Sequence, residues 1–384
     1  MPSSPRGWLI GVARHKALDR LRRESRRAEL EAAAVRGLPQ AGDVPAGESR
    51  AGAVADDELA LIFMCCHPAL DPEARIALTL RCVCGLSTGD IAAAFVIPEP
   101  TLAQRLVRAK RKIRQAGIRL RPPDPDDLPR RLAAVLRVIY LVYTQGHRAV
   151  AGPDLVRGPL CEQAIRLARA LVTLIPGEPE AAGLLALLLV TDARRAARTS
   201  DTGDLVPLGD QDRGRWDAAR IAEGTDLLER ALRAGRPGPY QLQAAIAACH
   251  VQPETDWRQI AALYGELARH EPTAITEANR AVAVAMAEGP AAGLAILDPL
   301  AARLARWPQF HIARAELLHR AGRTAEAITA FQRALDLPLP RPEQAFLQQR
   351  VQALRVAPLD LKRLRPAFLL AWQISIKKHP GEAA

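Results

Sequence analysis

The chain has 384 residues, 49% of them hydrophobic but only 4% aromatic, and a formal net charge of +11. That length accommodates two or three domains with substantial cores, and a composition led by Ala and Leu, poor in β-branched runs, favours an all-α fold over a sheet protein. The longest apolar run, Ala181–Val190, is too short to cross a bilayer, and Met1–Arg6 leads into a basic helix without the apolar core of a secretory signal. A cytoplasmic protein with no membrane partner is therefore expected, and its six cysteines should be reduced.

The positive charge is concentrated in two places. Residues 1–27 carry eight Lys/Arg against Asp19 and Glu24, residues 101–121 carry eight against no acid, and the remainder of the chain is slightly acidic. Charge confined to two short helical segments is the footprint of a polyanion partner rather than of a uniformly solvated surface. Neither segment backs its charge with a strong aromatic insertion face, which favours nucleic acid over membrane.

In chain order, "PRGWLIGVARHKALDRLRRESRR" spaces Trp8, Leu9, Val12, Leu18 and Leu21 as one helical face and leaves Arg14, His15, Lys16, Arg22 and Arg23 on the other. Residues 31–55, with the Gly-, Pro- and Ala-rich stretch Gly37–Gly52, read as a flexible linker. A helical block over 56–120 follows, closed by the Pro-rich hinge 121–128. Within it, Ser87 is placed to cap a short helix, with Asp90 three residues on, and Ile91, Ala92 and Phe95 supply its apolar face. "VIPEP" is a tight turn, and Pro100 suits the first turn of the next helix. That second helix turns Leu102, Leu106, Ala109 and Ile113 inward and Thr101, Gln104, Arg105, Arg108 and Lys112 outward. A short helix, a turn and a longer helix with a polar and basic outer face make a helix-turn-helix, whose recognition helix reads bases near its start and neutralises phosphates towards its end.

From residue 129 the pattern is one of helix pairs separated by Gly/Pro turns, as a helical extension over 129–235 and a repeat region over 236–355. "HIARAELLHRAGRTAEAITAFQRALDLPLP" sets small residues at Ala315, Gly322, Ala327 and Ala334 and large ones at Leu318 and Phe331; it resembles a tetratricopeptide repeat, in which small residues let two helices approach. Thr199–Trp216 reads as a small hairpin or ordered loop, whose Asp201, Asp204, Asp210 and Asp212 are expected to ion-pair with Arg194, Arg195 and Arg198 rather than to hold a cation.

The stretch Cys65–Arg114, "CCHPALDPEARIALTLRCVCGLSTGDIAAAFVIPEPTLAQRLVRAKRKIR", resembles the −35-binding domain, region 4, of extracytoplasmic-function sigma factors of the sigma-70 class. "PRGWLIGVARHKALDRLRRE" is similar to the end of their region 2, where a helix recognises the −10 element. "CEQAIRLARALVTLIPGEPEAAGLLALLL", "DQDRGRWDAARIAEGTDLLERAL" and "RPGPYQLQAAIAACH" are similar to the long C-terminal extension of one group within that class, which carries a tetratricopeptide-like domain. The resemblance reaches to about residue 355 and assigns no role to residues 356–384.

It implies an all-α, non-enzymatic protein without a cofactor, whose partners are promoter DNA, core RNA polymerase and a protein ligand of the repeat domain. The −35 candidates are Thr101, Gln104, Arg105, Arg108, Lys110, Arg111 and Lys112, and the −10 candidates are Arg14, His15, Lys16, Arg22 and Arg23. Residues 1–30 hold only the end of region 2, so weak initiation is expected from this chain. The rival readings are a DNA-binding regulator and a repeat scaffold for protein partners. Cys65, Cys66, Cys82 and Cys84 are expected to pack rather than to hold zinc, because adjacent cysteines on a helix diverge and the spacing is not that of two converging Cys-x2-4-Cys pairs.

Overall fold

The structure, a computed structural model, describes residues 60–83, 85–95, 97–118, 126–148 and 155–356, without the side chains of Asp90, Ala93, Ala94, Phe95 and Pro129. The expected −10 residues Arg14, His15, Lys16, Arg22 and Arg23, the linker 31–55, Cys84, most of the hinge and nearly all of the tail lie outside the described residues. The chain divides into two compact units, with the boundary between Val138 and Ile139. Among the described residues the only β pairing is one bridge, Thr199 to Leu205, and no helix is long and apolar enough to cross a membrane.

In the first unit, helical residues 60–65 are buried throughout, with Ile62 and Phe63 each 1% exposed. Helix α1 (Pro72–Cys82) starts where the sequence supplies a cap: Asp71 accepts the Ala74 N–H at 2.9 Å, and Pro72 occupies a position that needs no donor. Ala74, Ile76, Ala77, Leu78 and Leu80 form its buried face. Gly85, at φ +69, reverses the chain so that the Leu86 N–H reaches the Leu80 carbonyl at 3.0 Å. Helix α2 (Thr88–Phe95) follows Ser87, and helix α3 (Glu99–Gln115) carries Pro100 in its first turn. The three helices pack on one another.

Helix α4 (Leu128–His147) begins in this unit, where Arg131 donates to the Phe63 carbonyl at 2.9 Å and lies over the Phe63 ring. Cys65 and Cys66 diverge as expected: Cys65 hydrogen-bonds Cys82, while the Cys66 thiol meets Thr79 Oγ1 at 3.8 Å. Burial pushes the Cys66 thiol up to about 12, so it behaves as a small hydrophobe. The approach of Cys65 to Cys82 is a tertiary contact that adjacency in sequence does not reveal.

The second unit is a succession of helices, α5 (Gly158–Leu174), α6 (Pro179–Asp192), α7 (Ala218–Leu232), α8 (Pro239–Val251), α9 (Trp257–His270), α10 (Ala274–Glu288), α11 (Pro290–Leu297), α12 (Pro308–Arg320), α13 (Thr324–Leu335) and α14 (Arg341–Val356), most of which pack on their sequence neighbours, while α8 packs chiefly on α6. Nearest-neighbour packing of this kind is how stacked helix pairs build a continuous core. Helices α6, α8 and α12 are buried nearly all round, whereas α7, α9 and α13 bury one stripe and expose the other.

In α12 and α13 the small residues Ala315, Ala327 and Ala334 are fully buried beside Leu318 and Phe331, and Gly322 makes the turn at φ +77. Full burial of Phe331 stabilises the pair by about 2–3 kcal/mol. Gly293 marks the closest approach: a Cβ there would lie 2.4 Å from Ala285 Cβ and 2.6 Å from the Ala281 carbonyl, so α11 meets α10 almost backbone to backbone. Arg350 on α14 closes the end with a bidentate pair to Glu316 on α12, at 3.0 and 2.9 Å.

One expectation is corrected in this unit. The loop acids do not draw Arg195 and Arg198 outward. Asp201 faces Arg215 at 3.6 Å, Asp204 accepts from Thr202 at 2.7 Å, and Asp212 accepts the Gly214 N–H at 2.8 Å. Arg195 instead bonds Glu162 and the Gly158 carbonyl, and Arg198 bonds the His147 carbonyl. The cause is dielectric: a partner at a part-buried helix surface outcompetes an exposed loop carboxylate.

Candidate nucleic-acid interface

The interface is built on α3. Its buried stripe is Leu102, Leu106, Ala109 and Ile113, which is the inward face expected from the spacing. Anchored on that stripe, the helix presents Thr101, Gln104, Arg108, Arg111 and Lys112 to solvent as one exposed polar and basic surface. Arg114 is exposed beside them. The charge is compatible with the fold because it lies on the side away from the core and because Lys112 and Arg114 sit in the last turn, where the helix dipole favours cations.

Arg105 and Lys110 are only half-exposed and flank the stripe instead of joining the outer surface. Arg105 is ion-paired with Glu73 in the first turn of α1. Lys110 lies near the other end of α1, close to Cys82 and Arg81. Burial, offset in part by the Cys82 thiol and reinforced by Arg81, lowers its ammonium from the ordinary lysine range. The Cys82 thiol is itself drawn below its usual value, first by its hydrogen bond with Cys65 and further by the Lys110 and Arg81 charges, against the opposing effect of burial.

Sequence reasoning passed over Val107, which is 59% exposed on the same helix as Gln104 and Arg111, one turn from each. A large apolar side chain in solvent amid polar neighbours offers a methyl surface at a place where core packing does not require one. The available signal was its position, three after Gln104 and four before Arg111, off the buried stripe.

The turn before α3 holds this surface in place. Ile97 donates to the Ala92 carbonyl at 3.1 Å, Thr101 and Leu102 donate to the Pro98 carbonyl at 3.0 and 3.2 Å, and Arg81 ties α1 to the Leu86 carbonyl at 2.6 Å. Such a scaffold fixes the direction of α3 relative to α1 and α2, which a helix entering a groove requires.

Residues 60–113 match the family model described as sigma-70, region 4, and residues 131–232 match a family of unknown function (DUF6596). An uncharacterized protein of Rhizobium meliloti is 42% identical over 362 residues, spanning 93% of this chain and 86% of the relative. No solved structure matches.

Proposed function

We propose that this chain, which belongs to one family with the Rhizobium meliloti protein and matches sigma-70 region 4 over residues 60–113, is a sigma-70 family member that binds promoter DNA and directs core RNA polymerase to initiation, as an extracytoplasmic-function type sigma factor of the cytoplasm. The observation that carries the proposal is the exposed row Thr101, Gln104, Arg108, Arg111 and Lys112 on a helix anchored by an apolar stripe. In the −35 major groove, Gln104 suits an adenine edge and Arg108 a guanine edge, while Val107 supplies a contact for a thymine methyl. Arg111 and Lys112 neutralise phosphates. Arg105 reaches DNA only by exchanging Glu73 for it, and Lys110 only by swinging out from beside Cys82. Residues 14–16, 22 and 23 are the −10 counterpart of this surface, and residues 236–355 are tetratricopeptide-like repeats of a C-terminal regulatory domain.

The test is fluorescence anisotropy of the full chain on duplexes carrying a selected −35 sequence or a scrambled one, followed by run-off transcription with core polymerase. Gln104→Ala and Arg108→Ala should each reduce the discrimination between the two duplexes by about 1–3 kcal/mol. Equal binding to both duplexes by the parent chain, or undiminished discrimination in both variants, would reject base reading by this helix. Absence of promoter-dependent transcripts in the presence of sequence-specific binding would leave a DNA-binding regulator in place of a sigma factor.

A further inference from the structure

Two thiols of the first unit meet where two helical segments end. Cys65 closes the buried helical residues 60–65 and is 0% exposed, while Cys82 is the last residue of α1 and half-buried. The Cys65 S–H donates to the Cys82 sulfur. Lys110 of α3 and Arg81 of α1 lie close by, and both charges favour the Cys82 thiolate.

The other described cysteines have different surroundings. Cys66, 1% exposed, meets the Thr79 hydroxyl, and burial pushes it up to about 12. Cys161, 0% exposed, is hydrogen-bonded with Asp192 and is likewise pushed up to about 12, first by burial. Cys249 donates to Gln259 Oε1 at 3.3 Å and is raised by burial and then by Asp256. Each of these three is a neutral thiol with an oxygen for its partner. Cys82 alone among the described cysteines is drawn below the usual thiol value, first by the Cys65 hydrogen bond and then, against burial, by Lys110 and Arg81.

A cysteine reacts with peroxide as its thiolate, and the product becomes a disulfide when a second thiol stands within reach. Nucleophile, access from solvent and second thiol coincide at Cys82. Packing alone demands none of the three, since a buried cysteine serves there as a small hydrophobe. Both sulfurs also sit at helix ends, which fray and adjust more readily than helix middles. The backbone there can follow the sulfurs as they close from a hydrogen bond to a disulfide of about 2 Å.

We propose that Cys65 and Cys82 form a peroxide-sensitive dithiol, a modification site in the first unit that closes reversibly to a disulfide. The Cys82 sulfur attacks one oxygen of hydrogen peroxide: an S–O bond forms, the O–O bond breaks, and the departing hydroxide takes the Cys82 proton and leaves as water. The Cys65 sulfur then attacks the Cys82 sulfur. The S–S bond forms, the S–O bond breaks, and the leaving hydroxide takes the Cys65 proton as a second water. Two thiols are oxidised and one peroxide is reduced, and a dithiol reductant reverses the change by exchange. The site rests on the packing of the first unit and not on what α3 binds.

Thiol titration and tryptic mapping of the full chain test this. After treatment with hydrogen peroxide, two of the six thiols should be lost, and dithiothreitol should restore them. The fragments Ala51–Arg75 and Cys82–Arg105 should become joined, with Cys66 and Cys84 still open to alkylation. Cys82→Ser should abolish the loss of thiols, and Cys65→Ala should leave Cys82 as a sulfenic acid that dimedone captures. Circular dichroism checks the fold of both variants; should either fail to fold, the position of the bridge in the parent chain decides the matter. Retention of all six thiols by the parent, a bridge that uses Cys66 or Cys84, or conversion of Cys82 to its sulfinic acid with Cys65 still a free thiol would overturn the proposal.

Discussion

Single buried residues set how this protein responds to its medium. His250 is the clearest case, because burial and then the nearby Arg194 charge press its imidazole from 6.5 down to about 3. It is neutral in the folded chain, while the unfolded chain takes up a proton as the pH falls through 6.5. Stability contributed by the neutral ring is complete above that value and is lost progressively towards pH 3, to a limit of about 5 kcal/mol. His147, lowered first by burial and then by Arg198, Arg194 and further arginines, acts in the same direction. Urea unfolding at successive pH values from neutral to mildly acidic should therefore show a falling midpoint, and His250→Gln should flatten that fall. A midpoint unchanged across this window would contradict the burial of these two rings.

At the level of elements, close helix approach is what distinguishes the second unit from a loose collection of Ala-rich helices. Gly293 and Gly265 both sit inside helices, yet they should respond oppositely to the same change. A methyl group at Gly293 meets Ala285 Cβ and the Ala281 carbonyl, so Gly293→Ala forces α11 away from α10 and should cost about 1–3 kcal/mol. At Gly265 on α9 nothing lies within 4 Å of an added Cβ, so Gly265→Ala gains helix propensity and should stabilise by up to about 1 kcal/mol. Thermal melting of the two variants checks this, and equal shifts would mean that α10 and α11 are not in close contact. The α12–α13 pair was anticipated from the sequence because Ala315, Ala327, Ala334, Leu318 and Phe331 repeat at helical spacing, and all five are buried. Gly293 carries no such signal, since a glycine three residues into an apolar helix reads the same whether it faces a neighbour or water.

For the whole molecule the decisive quantity is where charge sits. The two basic clusters rise above an otherwise slightly acidic chain, and the described one projects from α3 into solvent. Its cations release counterions when they meet phosphates, so duplex affinity should fall linearly on a log–log plot against salt. Replacing both Arg111 and Lys112 with Ala should lower the steepness of that line by about 1.8, since each lost phosphate contact removes about 0.9. Discrimination between sequences should persist. An unchanged slope would place both side chains away from the phosphates.

By itself the sequence determined the all-α class, the buried stripe Leu102, Leu106, Ala109 and Ile113, and the polar row opposite it. Helical periodicity is a local property, so the apolar side of a single helix can be read without knowing what covers it. Only the tertiary structure decided which of the basic residues on α3 are available. Arg105 and Lys110 have the same chemistry as Arg108 and Lys112, and their places beside α1, at Glu73 and near Cys82, set them apart. The inward turn of Arg198 likewise depends on the His147 carbonyl, 51 residues away in the chain. Partners at that separation are chosen by packing, and burial then raises the strength of the chosen interaction above that of the exposed aspartates nearby.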